Sequence, residues 1–269
     1  MLDAKTNNPS IIRRKIIIVG CGNVAWHLAK QLYKKFDLII YNHKANKALE
    51  EFKKEFNAQT FSSLKKIIPN ADAYFICVKD SAISSVIKTI SLPTASNILI
   101  CSGNFDLASV KTKFKCLSIF YPLQTFSKQD KIKWKDTMLI IDSLSPAAFL
   151  KAQSVGLNFT KTIVQLNYQQ RLKLHLAAVL VNNFTNALYV EADKILHSVK
   201  QDLNITTLMP LIKQGVKKLK YMSPTAAQTG PAKRKDKEVI EKHLKILKGN
   251  KELEQLYTLL SDLIVKQQK

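Results

Sequence analysis

Apolar residues follow two patterns along this chain, and the change from one to the other comes near residue 166. Before that point, short runs that are apolar on both faces alternate with stretches in which apolar residues recur every three or four positions. The short runs are typical of buried strands in a parallel sheet, and the longer stretches of amphipathic helices. The predicted strands cover 16–19, 38–41, 73–78, 97–101, 116–121, 138–142 and 163–166.

Strands that alternate with helices predict an α/β fold with a mostly parallel sheet. After residue 166 only helical spacing continues, over 168–199, 203–221, 237–248 and 252–266. The loop 225–235 contains Gly230-Pro231, which should prevent a helix there. We therefore predict an α/β domain at 1–166 and an all-α domain at 167–269.

The first predicted strand leads directly into a glycine turn, and the first helix follows at once. This strand–turn–helix context is the one in which G-x-G-x-x-A predicts a dinucleotide site. Gly20 permits a tight turn, and Gly22 lets the backbone approach a pyrophosphate. The free N–H groups of Asn23 and Val24 would face the phosphates. A purely structural strand–helix turn is the alternative.

The end of the second predicted strand indicates which cofactor fits. About 20 residues after the glycines, NAD-specific domains carry a carboxylate for the ribose hydroxyl. This chain has Asn42, His43 and Lys44 there, and a neutral and cationic trio accommodates a 2′-phosphate better. The sequence thus favours NADP over NAD, and a solvated loop is the structural alternative.

More candidates follow the other strands, because parallel sheets bind ligands beyond the carboxyl ends of their strands. These ends should share one rim with the glycine turn. The expected cofactor contacts are Val78, Lys79, Ser102 and Gly103, and the expected substrate contacts are Tyr121 and Gln124.

The predicted helix 168–199 is apolar in its middle but carries a polar stripe on one face. The stripe, in steps of 4, 7, 4 and 3, consists of Arg171, His175, Asn182, Asn186 and Tyr189. Unpaired buried polar groups are costly, so the stripe needs partners. It either faces a polar cleft, which we favour, or is satisfied in a domain or dimer contact. In the cleft, Arg171 and Asn186 would contact substrate.

Composition changes this picture little. The 269 residues carry a net charge of +22, but 38 lysines stand against only 4 arginines and form no long basic run. Nucleic-acid sites favour arginine, so coding bias in an AT-rich genome explains the charge better than a specific nucleic-acid partner.

Several features are expected to be absent. No apolar run reaches the roughly 18 residues of a membrane span, and residues 1–9 lack the apolar core of a signal peptide. The four cysteines show no C-x-x-C spacing, which indicates reduced thiols rather than a metal site. We expect a cytoplasmic protein without metal or membrane partner.

Four motifs in order resemble a family of bacterial proteins that pair a Rossmann-like oxidoreductase domain with a helical C-terminal domain of unknown function (DUF). The motifs begin at Gly20 (GCGNVA), Tyr121 (YPLQTFS), His175 (HLAAV, followed by NNF) and Thr229 (TGPAKR). The layout is more distantly similar to pyrroline-5-carboxylate reductases, deazaflavin-dependent NADP reductases and β-hydroxyacid dehydrogenases. The resemblance implies NAD(P) binding and redox chemistry on an undefined small molecule.

The chain departs from the family pattern at three places. Tyr121 replaces a histidine before Pro122, and Ile100-Cys101 stands where a histidine often precedes Ser-Gly. The Arg-Gly-Asp after the Gly-Pro loop reads Arg234-Lys235-Asp236. If a lost histidine assisted proton transfer, His175 is the best remaining acid–base group.

The leading hypothesis is an NADP-dependent oxidoreductase that acts on a small carbonyl, imine or hydroxy acid. His175 would be the general acid, oriented with the substrate by Asn182, and Thr229 and Arg234 would hold a substrate carboxylate. A catalytically quiet NADP-binding regulatory protein and a basic nucleic-acid-binding module are the alternatives. A homodimer is expected to form through the helical domain.

Overall fold

The computed structural model describes residues 14–268, apart from the side chain of Lys66. The predicted features of residues 1–9 lie outside this range. Within it, the chain forms two compact units, which divide after Val181. The last strand ends at Gln165, so the change to an all-helical chain comes where the apolar pattern predicts it. The predicted domain boundary at 166 stays a prediction.

The first unit is built on an eight-stranded sheet in the order β3-β2-β1-β4-β5-β6-β7-β8. All neighbours are parallel except β6 and β7, which confirms the mostly parallel α/β fold. The strands are β1 (Lys15–Val19), β2 (Asp37–Tyr41), β3 (Gln59–Phe61), β4 (Ala73–Ile76), β5 (Ile98–Ile100), β6 (Leu117–Pro122), β7 (Leu139–Ser143) and β8 (Ile163–Gln165).

Two details of the sheet differ from expectation. Strand β3 was not predicted, because its three residues, Gln-Thr-Phe, are only partly buried and form no apolar run. Strand β7 runs antiparallel to β6, and the connection between them contains a 3-10 turn, Trp134–Asp136, but no α-helix. A parallel pair is usually joined by a helix that carries the chain back across the sheet.

Both faces of the sheet are covered, so alternate residues of one strand enter two different cores. Ile16 and Ile18 join the core beneath the first helix, whereas Ile17 and Val19 face the opposite layer. All four are at most 3% exposed, as expected for strands apolar on both faces. The helices of this unit are α1 (Asn23–Leu32), α2 (Lys47–Phe56), α3 (Asp80–Thr89), α4 (Pro146–Gly156) and α5 (Tyr168–Ala178).

A π-helical segment, Val179–Phe184, follows α5 and breaks the 3.6-residue spacing on which the predicted polar stripe depends. The spacing argument therefore fails beyond His175. The apolar middle of the predicted helix is also not buried as expected, since Leu176 is 59% and Val181 75% exposed.

Among its described residues, the second unit contains helices and no strand. Its α-helices are α6 (Thr185–Val199), α7 (Met209–Lys218), α8 (Pro224–Ala227), α9 (Pro231–Arg234), α10 (Lys237–Leu247) and α11 (Lys251–Gln267). The one-turn helices α8 and α9 correct the prediction that 225–235 is free of helix. Each starts with a proline at its first position, where proline is well tolerated.

Candidate functional site

The turn between β1 and α1 has the geometry that a phosphate-binding turn requires. Gly20 has φ +115° and donates its N–H to the carbonyl of Tyr41 at 2.7 Å. A Cβ at Gly20 would collide with the carbonyl oxygen of Cys77. Gly22 caps α1 with an ordinary extended backbone, and a Cβ there would meet no atom within 4 Å. The fold thus needs a glycine at position 20, while position 22 leaves open space.

The first turn of α1 is available to an anion. Gly22 provides no side-chain cap, and the turn contains no acidic residue, so its N–H groups and positive dipole end are not neutralised. The Asn23 side chain instead donates to the carbonyl of Phe126 at 2.9 Å. His27, 1% exposed, is hydrogen-bonded through Nε2 to the carbonyl of Ser127 at 2.7 Å. Two side chains of α1 therefore hold the loop after β6.

The residues predicted to select the cofactor follow β2 directly. Asn42 donates its backbone N–H to Phe61 and its side-chain amide to the carbonyl of Lys44 at 3.0 Å. This bond orders the turn, in which His43 and Lys44 are exposed. Val78 and Lys79 occupy the corresponding place after β4, where Lys79 directly precedes α3.

The segment after β5 is tightly organised. Ser102 Oγ accepts the N–H groups of Asn104 and Phe105 at 3.2 and 3.1 Å, so the predicted cofactor contact is engaged in a turn. Gly103 lies against the ring of Tyr121, and a Cβ would come within 2.9 Å of that ring. Packing against Tyr121 therefore accounts for glycine at this position.

The structure brings together two predicted site residues that are 54 positions apart. The hydroxyl of Tyr121 and Nδ1 of His175 form a hydrogen bond of 3.2 Å, with ring centroids 6.2 Å apart in an edge-to-face arrangement. Both side chains are half-buried. Burial raises the pKa of Tyr121 above its usual value, so this residue is a neutral phenol at physiological pH.

Arg171 corrects the expectation that its side chain faces substrate. It is 0% exposed, and it donates to the carbonyls of Gly103 and Phe105 at 2.8 and 2.9 Å. It also forms an ion pair with Asp142 at 3.0 Å. Because these partners occupy the guanidinium, Arg171 attaches α5 to the loop after β5. Asp142 and Phe105 were missed, since nothing in the sequence pairs them with Arg171.

Three of the four cysteines follow strand ends at the rim: Cys21, Cys77 and Cys101. Burial raises the pKa of the Cys21 thiol to about 11. Burial and a hydrogen bond with Cys101 raise the pKa of Cys77 as well. Both thiols are therefore protonated at neutral pH and are poor nucleophiles.

The remaining candidates are exposed. Gln124 accepts the N–H of Thr125 through its side chain at 2.9 Å. Asn182, Asn186, Thr229 and Arg234 belong to the second unit, where each is exposed. Their roles, and those of the other predicted contacts, stay predictions.

Within residues 14–268, the structure contains neither a candidate membrane-spanning helix nor a candidate metal cluster. No described helix combines the length and the apolar character that crossing a bilayer demands. Among the same residues, no group of three or more His, Cys, Asp or Glu side chains could hold a metal ion.

Family models match both parts of the chain. The model described as NADP oxidoreductase, coenzyme F420-dependent, matches residues 15–104. The model described as a domain of unknown function, DUF2520, matches residues 137–264. The comparison with curated proteins gave no match.

Solved structures share the fold over nearly the whole chain. A Bacteroides fragilis protein provisionally named an NADP oxidoreductase is 29% identical, with a TM-score of 0.84 over 94% of this chain and 98% of its own. The reductive aminase from Aspergillus terreus, in complex with NADPH4, cyclohexanone and allyl amine, is 15% identical, with a TM-score of 0.66 over 94% and 93%. A Coxiella burnetii pyrroline-5-carboxylate reductase is 16% identical, with a TM-score of 0.55 over 95% and 97%.

These matches confirm the resemblance and the fold class that the four motifs indicate. The pyrroline-5-carboxylate reductase and the reductive aminase, at their low identities, show the fold alone. Residues 15–104 are thus similar to the Rossmann-like F420-dependent NADP oxidoreductases, and residues 137–264 to the DUF2520 domain of unknown function.

Proposed function

We propose that this protein is an NADP-dependent oxidoreductase that transfers a hydride between the nicotinamide and a small carbonyl, imine or hydroxy-acid substrate. The observation that carries the proposal is the open, uncapped start of α1 behind Gly22. This helix follows β1, which lies between β2 and β4 in the sheet. The order of the strands reverses at β1, and open α/β sheets bind ligands at such a point. The similarity to a protein named an NADP oxidoreductase supports the same activity.

NADP is preferred over NAD because of the turn after β2. The ordered turn presents His43 and Lys44 to solvent, and no carboxylate stands among Asn42, His43 and Lys44 to repel a 2′-phosphate. A lysine and a histidine instead offer donors to it.

Replacing Gly22 with valine should abolish NADPH binding without unfolding the protein. The new side chain meets no protein atom within 4 Å at Cβ but occupies the space proposed for the pyrophosphate. Isothermal titration calorimetry with NADPH measures the effect. Gly215→Val in α7, where a Cβ also meets nothing within 4 Å, is the control and should bind normally.

Equal affinity of the wild type for NADH and NADPH would contradict the preference for NADP.

His175 is the proposed source of the proton. A nicotinamide bound at the glycine turn would supply or accept the hydride, and the substrate oxygen or nitrogen would then have to gain or lose a proton. Histidine is suited to this because its pKa is ordinarily close to neutrality. Arg171 and its carbonyl partners fix α5, and His175 lies one turn further along this helix.

The variant His175→Ala should lower kcat by roughly 10²- to 10⁴-fold while NADPH affinity stays nearly unchanged. The decrease in NADPH absorbance with a panel of keto acids and cyclic imines gives the rate. Full activity in this variant would exclude the acid role. Saturable NADPH binding by the wild type without any turnover would instead favour a cofactor-binding regulatory protein.

The second unit is proposed to help bind substrate and to form the dimer. Asn182 would orient groups at the reacting centre, Asn186 would contact substrate, and Thr229 and Arg234 would hold a carboxylate, because a guanidinium forms two parallel bonds to it. We also propose a cytoplasmic location, consistent with four free cysteines, and no specific nucleic-acid partner.

The protein should be a homodimer in solution. Helices of the second unit expose large apolar side chains, among them Val199 (70%), Leu211 (69%) and Leu259 (66%). Large contiguous apolar patches mark protein–protein contacts, and we propose that these side chains contribute to such a patch. Light scattering coupled to size exclusion should give twice the chain mass of 30.4 kDa, and a monomer at micromolar concentration would contradict the proposal.

A further inference from the structure

The hydroxyl of Tyr121 contacts His175 at the rim formed by the strand ends. Tyr121 is near the end of β6, and its ring packs on Gly103, which follows the neighbouring strand β5. Its hydroxyl meets Nδ1 of His175 at 3.2 Å. The phenol thus belongs to the strand-end rim, whereas the imidazole approaches from helix α5.

One anchor sets the distance between the two groups. The guanidinium of Arg171 holds the carbonyl of Gly103, the residue beneath the Tyr121 ring. Arg171 is also one helical turn before His175. The fully buried side chain of Arg171 therefore links the residue beneath the Tyr121 ring to the helix that carries His175. This arrangement keeps the hydroxyl and Nδ1 in contact.

We propose that Tyr121 is a catalytic residue that passes the proton from His175 to the substrate, a step that rests on the proposed oxidoreductase function. As the substrate carbon receives the hydride, the π electron pair of the C=O or C=N bond takes the phenolic proton. The phenolic O–H bond breaks, and Nδ1–H of the His175 imidazolium restores it. The phenol is regenerated, and the imidazolium leaves the step as neutral imidazole.

This proton relay, from His175 through Tyr121 to the substrate, suits the surroundings of Tyr121 better than a step in which Tyr121 loses its proton and remains a phenolate. A half-buried phenolate is unfavourable, as the raised pKa of Tyr121 indicates. If His175 donates its proton as Tyr121 gives up its own, no phenolate forms.

The test compares a substrate whose reduction needs a proton with one whose reduction does not. Reduction of a ketone or a neutral cyclic imine needs hydride and proton, whereas reduction of an N-methyl cyclic iminium cation needs hydride alone. Tyr121→Phe keeps the ring and removes the hydroxyl. We expect kcat to fall roughly 10²- to 10⁴-fold with the neutral acceptor and to stay within about twofold with the cation. Equal losses with both acceptors, or no loss with either, would overturn the relay.

The chain offers a matched control for this variant. His243 and Tyr257 in the second unit make the same kind of bond, with Nδ1 and hydroxyl 2.8 Å apart. Tyr257→Phe removes an equivalent hydroxyl and should leave both rates unchanged.

Nuclear magnetic resonance of ¹⁵N-histidine tests the contact without turnover. In neutral His175, a hydroxyl bonded to Nδ1 favours the tautomer with its proton on Nε2. Tyr121→Phe should shift this tautomer ratio, and Tyr257→Phe should shift only that of His243. An unchanged His175 signal in Tyr121→Phe would overturn the relay whatever the activity. A shifted signal in a protein that reduces no acceptor would refute the oxidoreductase function instead.

Discussion

Replacing Arg171 with methionine should lower the free energy of unfolding by about 3–5 kcal/mol, the range measured when one partner of a buried ion pair is removed. The variant leaves Asp142, only 19% exposed, without its cation. It also leaves the carbonyls of Gly103 and Phe105 without their donor. Urea denaturation followed by circular dichroism measures the loss.

The matched control is the exposed ion pair between Arg14 and Asp72. These groups approach as closely as 2.7 Å, but the Arg14 side chain is 67% exposed. Arg14→Met should therefore cost at most about 1 kcal/mol, since water screens exposed pairs. Similar losses in the two arginine variants would show that Arg171 is not anchored as described.

Replacing Gly20 with alanine should destabilise the protein by about 2–6 kcal/mol, the sum of a strained backbone and an overpacked contact. Its φ of +115° is rarely adopted by other residues, and the added Cβ is directed into the carbonyl of Cys77. That oxygen belongs to the backbone after β4 and cannot move without disturbing the sheet. Thermal unfolding, or loss of soluble protein, measures the effect.

The neighbouring glycine gives the comparison. Gly22→Ala adds the same methyl group in open space and should cost no more than about 1 kcal/mol, mainly through a poorer helix cap. A normal melting temperature for Gly20→Ala would mean that the turn can adopt another conformation.

The strands of the sheet were largely predictable because their burial on both faces leaves a continuous apolar run in each. Ile16 to Val19 is such a run. Strand β3 and the reversal of β7 were not predictable. The residues of β3, Gln-Thr-Phe, form no apolar run, and the reversal goes with a connection that contains no α-helix. The π-helical segment after α5 has no signature in the spacing of apolar residues.

The candidate site was predictable as a set of strand ends but not as a set of contacts. Tyr121 and His175 were each recognisable, yet their hydrogen bond joins residues from distant elements. Arg171 stood out as a charged residue in an apolar helix. Its orientation towards two backbone carbonyls depends on how α5 packs on the loop after β5, and no local pattern encodes that packing.

The reversed strand has a consequence for the order in which the sheet assembles. Strands β6 and β7 pair Pro122 with Leu139, which are 17 positions apart in the chain, whereas β1 and β4 pair Ile16 with Ala73, which are 57 positions apart. Closing the longer loop costs about 1 kcal/mol more chain entropy. The antiparallel pair can therefore form early, from local contacts, at one side of the sheet. The β1–β4 pair beside the glycine turn depends on more distant contacts. We therefore expect the proposed cofactor site to be among the last parts of the sheet to form during folding.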